Sequence, residues 1–182
     1  MERFIKVVTK DKIEESLEFV KNVFTDSEGI ESGELVKSLV KEIRSKKYYV
    51  PELDLIMMNE DDEIIGFTLF SRFHIEGRYV NEMLLLSPVA VKTSLQRQHI
   101  SKELIEFGLI RAKELGYKFC IVEGNPLNYR SRGFKTSADY GVYASESIGL
   151  PAIECLMIQE LEEGALDDVH GFLDYSFYDS LK

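Results

Sequence analysis

Residues suited to binding a phosphate-bearing ligand are gathered between Leu84 and Phe134. The polar turn Thr93 to Gln98 runs into an apolar periodicity at Ile100, Leu104, Ile105, Leu109 and Ala112 that Gly116 ends. This spacing predicts a helix whose first amides lack intrahelical acceptors. Such amides donate to anions, and the helix dipole favours negative charge beside them. Arg97 and Lys102 add mobile cations. Lys92, Arg97 and Lys102 around the turn, with Arg130, Arg132 and Lys135 around Tyr129, are concentrated in a chain of formal net charge -10. A phosphate handle would favour that concentration, while the excess acid elsewhere would draw a cationic amine. Taken singly, the turn also fits a solvated loop and each cation a solvated face.

The elements that must position these residues are legible from periodicity and punctuation. Leu84 to Val91 reads as a buried strand entering the turn. Upstream, Phe4 to Val8 has strand composition, Asp11 reads as a helix cap, and Ile13, Leu17, Val20 and Phe24 share one helical face. A polar, glycine-bearing linker, TDSEGIES, precedes a second helix from about Ser32, carried by Leu35, Leu39 and Ile43. Pro51 disfavours helix beyond it. Leu53 to Asn59 and Ile64 to Phe73 flank the acidic turn EDDE as a hairpin, and a third strand follows EGR. After the central helix come a strand, a short helical loop and final strands near Phe134 to Ser137 and Ile153 to Glu160. Thr136 to Pro151 reads as a long loop covering a substrate cleft. Residues 161–182 are expected to pack as turns against the sheet through Phe172, Tyr175, Phe177 and Tyr178.

A chain of 182 residues, 45% hydrophobic and 11% aromatic, has material for one packed domain, 1–182, with a core of about 4–160 and an extension over 161–182. Runs of 18 apolar residues are absent and charged DKIEE closely follows the opening MERFIKVVTK, so no membrane span or secretory signal is expected and the default location is cytoplasmic. The acidic balance disfavours nucleic-acid binding. Cys120 and Cys155 read as buried free thiols, and His74, His99 and His170 stand singly, so no metal site is expected.

Gln96 to Ser101, QRQHIS, resembles the cofactor turn Q/R-x-x-G-x-G/A of the GNAT superfamily of N-acetyltransferases, and Tyr129 to Gly133-Phe134 resembles its Tyr-x-x-x-Gly-Phe segment. GNPLNYRSRGF and AIECLMIQELEEGALDDVHGFLDY are similar to a bacterial branch of predicted acetyltransferases carrying G-D/H-P-x-Y-Y-x-x-F-G-F and E-L-x-x-G-A-L-x-x-V-x-G. The resemblance covers roughly residues 4–175 and is specific after Leu84. It implies an α/β (α+β) GNAT fold: a mixed central sheet of six to seven strands, helices on both faces, and a splay between the fourth and fifth strands.

The resemblance further implies an N-acetyltransferase moving an acetyl group from acetyl-CoA to a primary amine, small-molecule or peptide-borne, by direct attack. Val89, Ala90 and Val91 would face the acyl and pantetheine groups through their backbone, with valine side chains in the core. Gln96, Arg97, Gln98, His99, Ile100, Ser101 and Lys102 would hold the pyrophosphate. Asn125 would bond to the pantetheine arm or shape the turn at Pro126. Asn128 stands where the branch has a first tyrosine. Tyr129 would protonate the departing thiolate, and Glu82 would be the general base, with Glu123 as a second candidate or ordered water in its place. Two departures stand out: His99 and Ser101 occupy positions where the pattern has glycine, which lets amides approach a pyrophosphate without a Cβ. They keep a second reading open, a binding or regulatory module with little cofactor use. Transfer of another acyl group and pairing of the final strands into a homodimer also remain open.

Overall fold

The computed structural model describes residues 2–182. The chain forms two compact units, Met1–Phe70 with Pro88–Gly108, and Ser71–Ser87 with Leu109–Lys182. Its strands hydrogen-bond in a seven-stranded mixed sheet of order β1-β2-β3-β4-β5-β8-β6, with a second sheet of β7 and β9. The strands are β1 Arg3–Val7, β2 Asp54–Asn59, β3 Ile64–Arg72, β4 Met83–Val91, β5 Phe119–Glu123, β6 Lys135–Thr136, β7 Val142–Ala144, β8 Leu156–Glu160 and β9 Gly171–Leu173. The helices are α1 Ile13–Glu28, α2 Ile30–Ser45, α3 Ile100–Glu114 and α4 Pro126–Arg130.

In the first unit β1 pairs antiparallel with β2, and β2 with β3. The EDDE hairpin is closed by the Asn59 side chain, whose Oδ1 accepts from the N–H of Asp61 at 3.1 Å and of Glu63 at 2.9 Å. The expected polar linker is absent as such. α1 continues to Glu28, only Gly29 separates it from α2, and Gly29 takes φ 101 while its N–H bonds to the Thr25 carbonyl. A left-handed turn at one glycine therefore replaces eight residues of linker. Asp11 is not the helix cap: it lies in a single 3-10 turn, Lys10–Lys12, and Lys12 holds the cap position. The Thr9 hydroxyl hydrogen-bonded to it holds the Asp11 carboxyl below its ordinary value. Leu35 is exposed, and the buried face of α2 is Val36, Leu39, Val40 and Ile43.

A buried ion pair ties α2 to β2. Asp54, with a fully buried side chain, accepts from Arg44 Nε at 2.8 Å and from the Tyr49 hydroxyl at 2.8 Å. Arg44 Nη2 also donates to Ser16 Oγ of α1 at 2.9 Å. Burial, then the Asp54 charge, pushes the Tyr49 phenol well up.

In the second unit the start of β4 runs parallel to β5, in register from Met83↔Phe119 to Leu85↔Ile121. Both strands continue past that point without further pairing to each other, while Val122 and Glu123 pair only with Met157 and Leu156 of β8. This is the expected splay. Thr136 to Pro151 is not a long loop: it contains a 3-10 turn, Ser137–Tyr140, and β7, because the tail supplies β9 as a parallel partner. Ile153–Cys155 is likewise a 3-10 turn, so the strand expected over Ile153 to Glu160 starts only at Leu156, as β8. The tail packs through Leu161, Leu166, Val169, Leu173 and Tyr178, which are buried, whereas Phe172, expected to pack, is exposed because it alternates with buried Leu173 along β9. Tyr178 stacks on Phe73 at 5.5 Å, and Phe177 meets it edge-on at 5.1 Å. Cys120 is buried, but Cys155 is only half-buried because it ends an exposed turn.

Candidate active site

The first unit carries the anion turn. β4 ends in a 3-10 turn, Thr93–Leu95, after which Gln96 is extended and Ile100 starts α3. Between them Arg97 and His99 both adopt left-handed backbone, φ 63 and φ 65. Two such residues outside glycine, one apart in a single turn, store strain of roughly 1–3 kcal/mol each. Turns that alternate hand in this way aim successive N–H groups into a concavity that binds anions. The first α-helical bond next to the turn runs from Glu103 N–H to the His99 carbonyl at 3.0 Å, so the amides of Ile100, Ser101 and Lys102 precede the helical ladder.

The turn is anchored from below. Ile100 is 1% exposed, and a Cβ on Gly66 of β3 would lie 2.7 Å from Ile100 Cγ2 and 2.8 Å from Leu104 Cδ1. Glycine at that strand position allows α3 to seat closely, holding the helix start in place. Gln96, Arg97, Gln98, His99 and Lys102 are exposed and Ser101 is half-buried. Lys92 bonds to Glu63 at 3.1 Å, and Lys102 lies 3.7 Å from Glu106. Arg97 has no ion-pair partner among the described residues. On the strand leading in, Pro88 and Ala90 are buried, but Val89 and Val91 are half-buried and not core. Strand alternation turns the valines to the less covered face.

The second unit carries Tyr129. Asn125 caps α4, its Oδ1 accepting from Leu127 N–H at 2.9 Å, with Pro126 as the first helical residue. The structural reading of Asn125 is therefore realised. α4 turns the Tyr129 ring onto Gly124, where a Cβ would lie 2.4 Å from Tyr129 Cε2. Phe134 meets the ring edge-on at 5.7 Å and the Arg132 guanidinium lies 5.8 Å from its centroid. The Tyr129 carbonyl accepts from Arg132 N–H at 2.9 Å and Phe134 N–H at 3.2 Å, closing the loop. Burial pushes the phenol up, only partly opposed by Arg132. Tyr129 thus stays protonated through the neutral range.

Glu82 is not brought to Tyr129. Its carbonyl accepts from the N–H groups of Lys118 at 2.7 Å and Phe119 at 3.2 Å, at the start of β5, whereas Gly124 and Tyr129 follow the other end. Five strand residues set the two ends roughly 15 Å apart. Glu82 therefore lies at the opposite end of β5 from Tyr129. Glu123, at the β5 end itself, is exposed and directly precedes Gly124. Burial, followed by the Glu123 charge, pushes the Tyr175 phenol of the tail well up. Sequence reading placed Tyr175 only in a packing role. Among the described residues there is no group of three metal-ligating side chains and no helix long and apolar enough to cross a membrane.

The parallel β4–β5 pair that separates past Leu85 is the splayed sheet that the sequence resemblance implies. Residues 18–136 match the acetyltransferase (GNAT) family, and the chain belongs to that family. None of the curated proteins matches it in sequence. Among solved structures, it is similar to the Escherichia coli GNAT-family N-acetyltransferase YhbS in complex with CoA. The TM-score is 0.81 at 20% identity, over 94% of this chain and 88% of that one. A GNAT-family acetyltransferase from Brucella melitensis in complex with acetyl-CoA gives 0.74 at 21% identity, over 100% and 99%. The PaiA N-acetyltransferase from Thermoplasma acidophilum in complex with coenzyme A gives 0.60 at 17% identity, over 88% and 99%. These likenesses show the fold.

Proposed function

We propose that the protein is an acetyl-CoA-dependent N-acetyltransferase acting on a primary amine. The carrying observation is the backbone of the anion turn: Arg97 and His99 hold left-handed conformations that glycine ordinarily supplies in pyrophosphate cradles. His99 therefore replaces glycine in sequence without replacing its shape. The strain is retained in a turn with few side-chain constraints of its own, which fits a ligand-binding purpose better than a degenerate loop.

The residues present fit the group. The amides of Ile100, Ser101 and Lys102, with the Arg97 guanidinium, would hold the pyrophosphate, and the backbone of Val89, Ala90 and Val91 would meet the pantetheine and acyl amides. Asn125, its Oδ1 occupied, would act through its NH₂. When bound, acetyl-CoA supplies an activated acetyl thioester. Tyr129, kept protonated by burial, would supply a proton to the leaving thiolate and recover one from solvent. A carboxylate or water must take the proton that an ammonium loses before its lone pair forms the C–N bond.

The excess of acidic residues favours a cationic acceptor, small or peptide-borne, over an anionic one. Thiol release from acetyl-CoA, measured across a panel of polyamines, amino acids and N-terminal peptides, tests the reading. Amine-dependent release that Tyr129→Phe suppresses supports it, and no release with any amine at millimolar acetyl-CoA contradicts it.

A further inference from the structure

β1 stands at one end of the strand order and pairs on one side only, with β2. Val8 N–H donates to the Asp54 carbonyl at 2.8 Å, and the register from Arg3↔Asn59 to Val7↔Leu55 carries that phase back along the strand. Phe4 and Lys6 therefore direct their backbone groups to β2, while the N–H and C=O groups of Arg3, Ile5 and Val7 turn to the open edge. Such an edge is a template for another strand unless a proline, a bulge or a charge blocks it. β1 contains no proline, and its pairing with β2 runs without a register shift.

The charges on this edge are arranged to direct pairing. Alternation puts Phe4 and Lys6 on one face, with Glu2 next in the same phase, and all three are exposed. The Lys6 ammonium lies 4.7 Å from the Phe4 ring centroid, and neither Glu2 nor Lys6 has an ion-pair partner among the described residues. On the other face Arg3 donates to Glu103 of α3 at 3.1 Å. Val7, and Phe107 one helical turn beyond Glu103, are also exposed, so apolar surface extends from the edge onto the helix.

We propose that β1 is the docking edge for a second copy of this chain, the two strands pairing antiparallel about a two-fold axis at Phe4. A two-fold contact uses the same patch on both copies. The outward groups belong to odd-numbered residues, so only registers that set odd against odd complete the ladder. Centred on Phe4, Arg3 of one copy exchanges both bonds with Ile5 of the other. Phe4 then meets Phe4, and Glu2 stands opposite Lys6 at both ends, in the closer, non-hydrogen-bonded pairs. Centred on Ile5, Lys6 would meet Phe4 and Glu2 would meet Val8, which leaves both charges unpaired. Centred on Lys6, two ammonium groups would collide. Charge complementarity therefore selects one register, and the lysine that blocks an arbitrary strand accepts the chain's own copy. An edge of five residues makes a small interface, so the dimer is reversible.

Sedimentation equilibrium of the intact protein, between about 1 µM and about 1 mM, reads the dimer constant. Wild type should show a monomer–dimer equilibrium that added salt weakens. Lys6→Glu sets like charges opposite each other and should weaken the dimer about tenfold, and adding Glu2→Lys should restore it. A monomer throughout that range, a constant that Lys6→Glu leaves unmoved, or a loss that Glu2→Lys does not reverse would overturn the proposal. Ile5→Pro removes an outward N–H and no bond to β2, so it should abolish the dimer while unfolding stays cooperative. A dimer that survives it pairs elsewhere, which also refutes the assignment. None of these measurements needs acetyl-CoA, so the outcome stands apart from the acetyltransferase reading.

Discussion

The Tyr129 ring edge lies so close to Gly124 that a Cβ on the glycine would stand 2.4 Å from Tyr129 Cε2. The phenol's direction is thus set by the absence of one side chain, with Phe134 and Arg132 closing the other sides. Tyr129→Phe should lower kcat by about 10²-fold while acetyl-CoA affinity changes less than threefold. Gly124→Ala should displace the ring and give a similar loss with the hydroxyl still present. Steady-state kinetics beside calorimetric affinity check both.

His99 bears the strain of the anion turn. Relieving it with His99→Gly should raise unfolding stability by about 1 kcal/mol, read from denaturant midpoints. Because the native backbone already has the glycine-like shape, acetyl-CoA affinity should change less than tenfold. A gain well beyond tenfold would mean that the native turn has lost its use, and would favour the regulatory reading.

Arg44 and Asp54 form the buried ion pair of the first unit, supported by Tyr49 and Ser16. Asp54→Ala leaves the guanidinium without its carboxylate and should cost about 3–5 kcal/mol. Chemical unfolding measures this, and a loss under about 1 kcal/mol would show that the network carries little.

Asp174 accepts from Ser176 N–H, then from the hydroxyls of Ser147 and Ser145, which hold its pKa at about 2, down from 3.8. A depressed carboxylate contributes stability that is fully present above the unfolded value and is lost as pH falls through the folded one. Thermal unfolding of wild type should therefore weaken between about pH 4 and pH 2 more steeply than that of Asp174→Asn. Identical slopes would remove Asp174 from the acid response.

The fold was legible in the chain where local signals coincide with tertiary burial. β2, β3, β4, α3 and β5 fall where periodicity and turn chemistry predict them. Misreadings cluster where a single residue reverses a segment's polarity signal: Gly29 joins two helices through a stretch that looks like linker, and β7 exists only because β9 arrives from the tail. The site was readable in residue type and not in placement. QRQHIS locates the turn, but the left-handed φ of His99 is a property of the folded backbone. Glu82 and Glu123 look equivalent in sequence, and only the register of β5 separates them. Tyr175 carries no local signal, since Phe73, against which its ring packs, lies far back in the chain.

Calorimetric titration of the protein with acetyl-CoA decides whether the turn from Gln96 to Lys102 binds it. Saturable one-to-one binding in the micromolar range, weakened several-fold by Arg97→Ala and reduced by added salt, is expected. No heat and no thermal stabilisation at millimolar acetyl-CoA would contradict it.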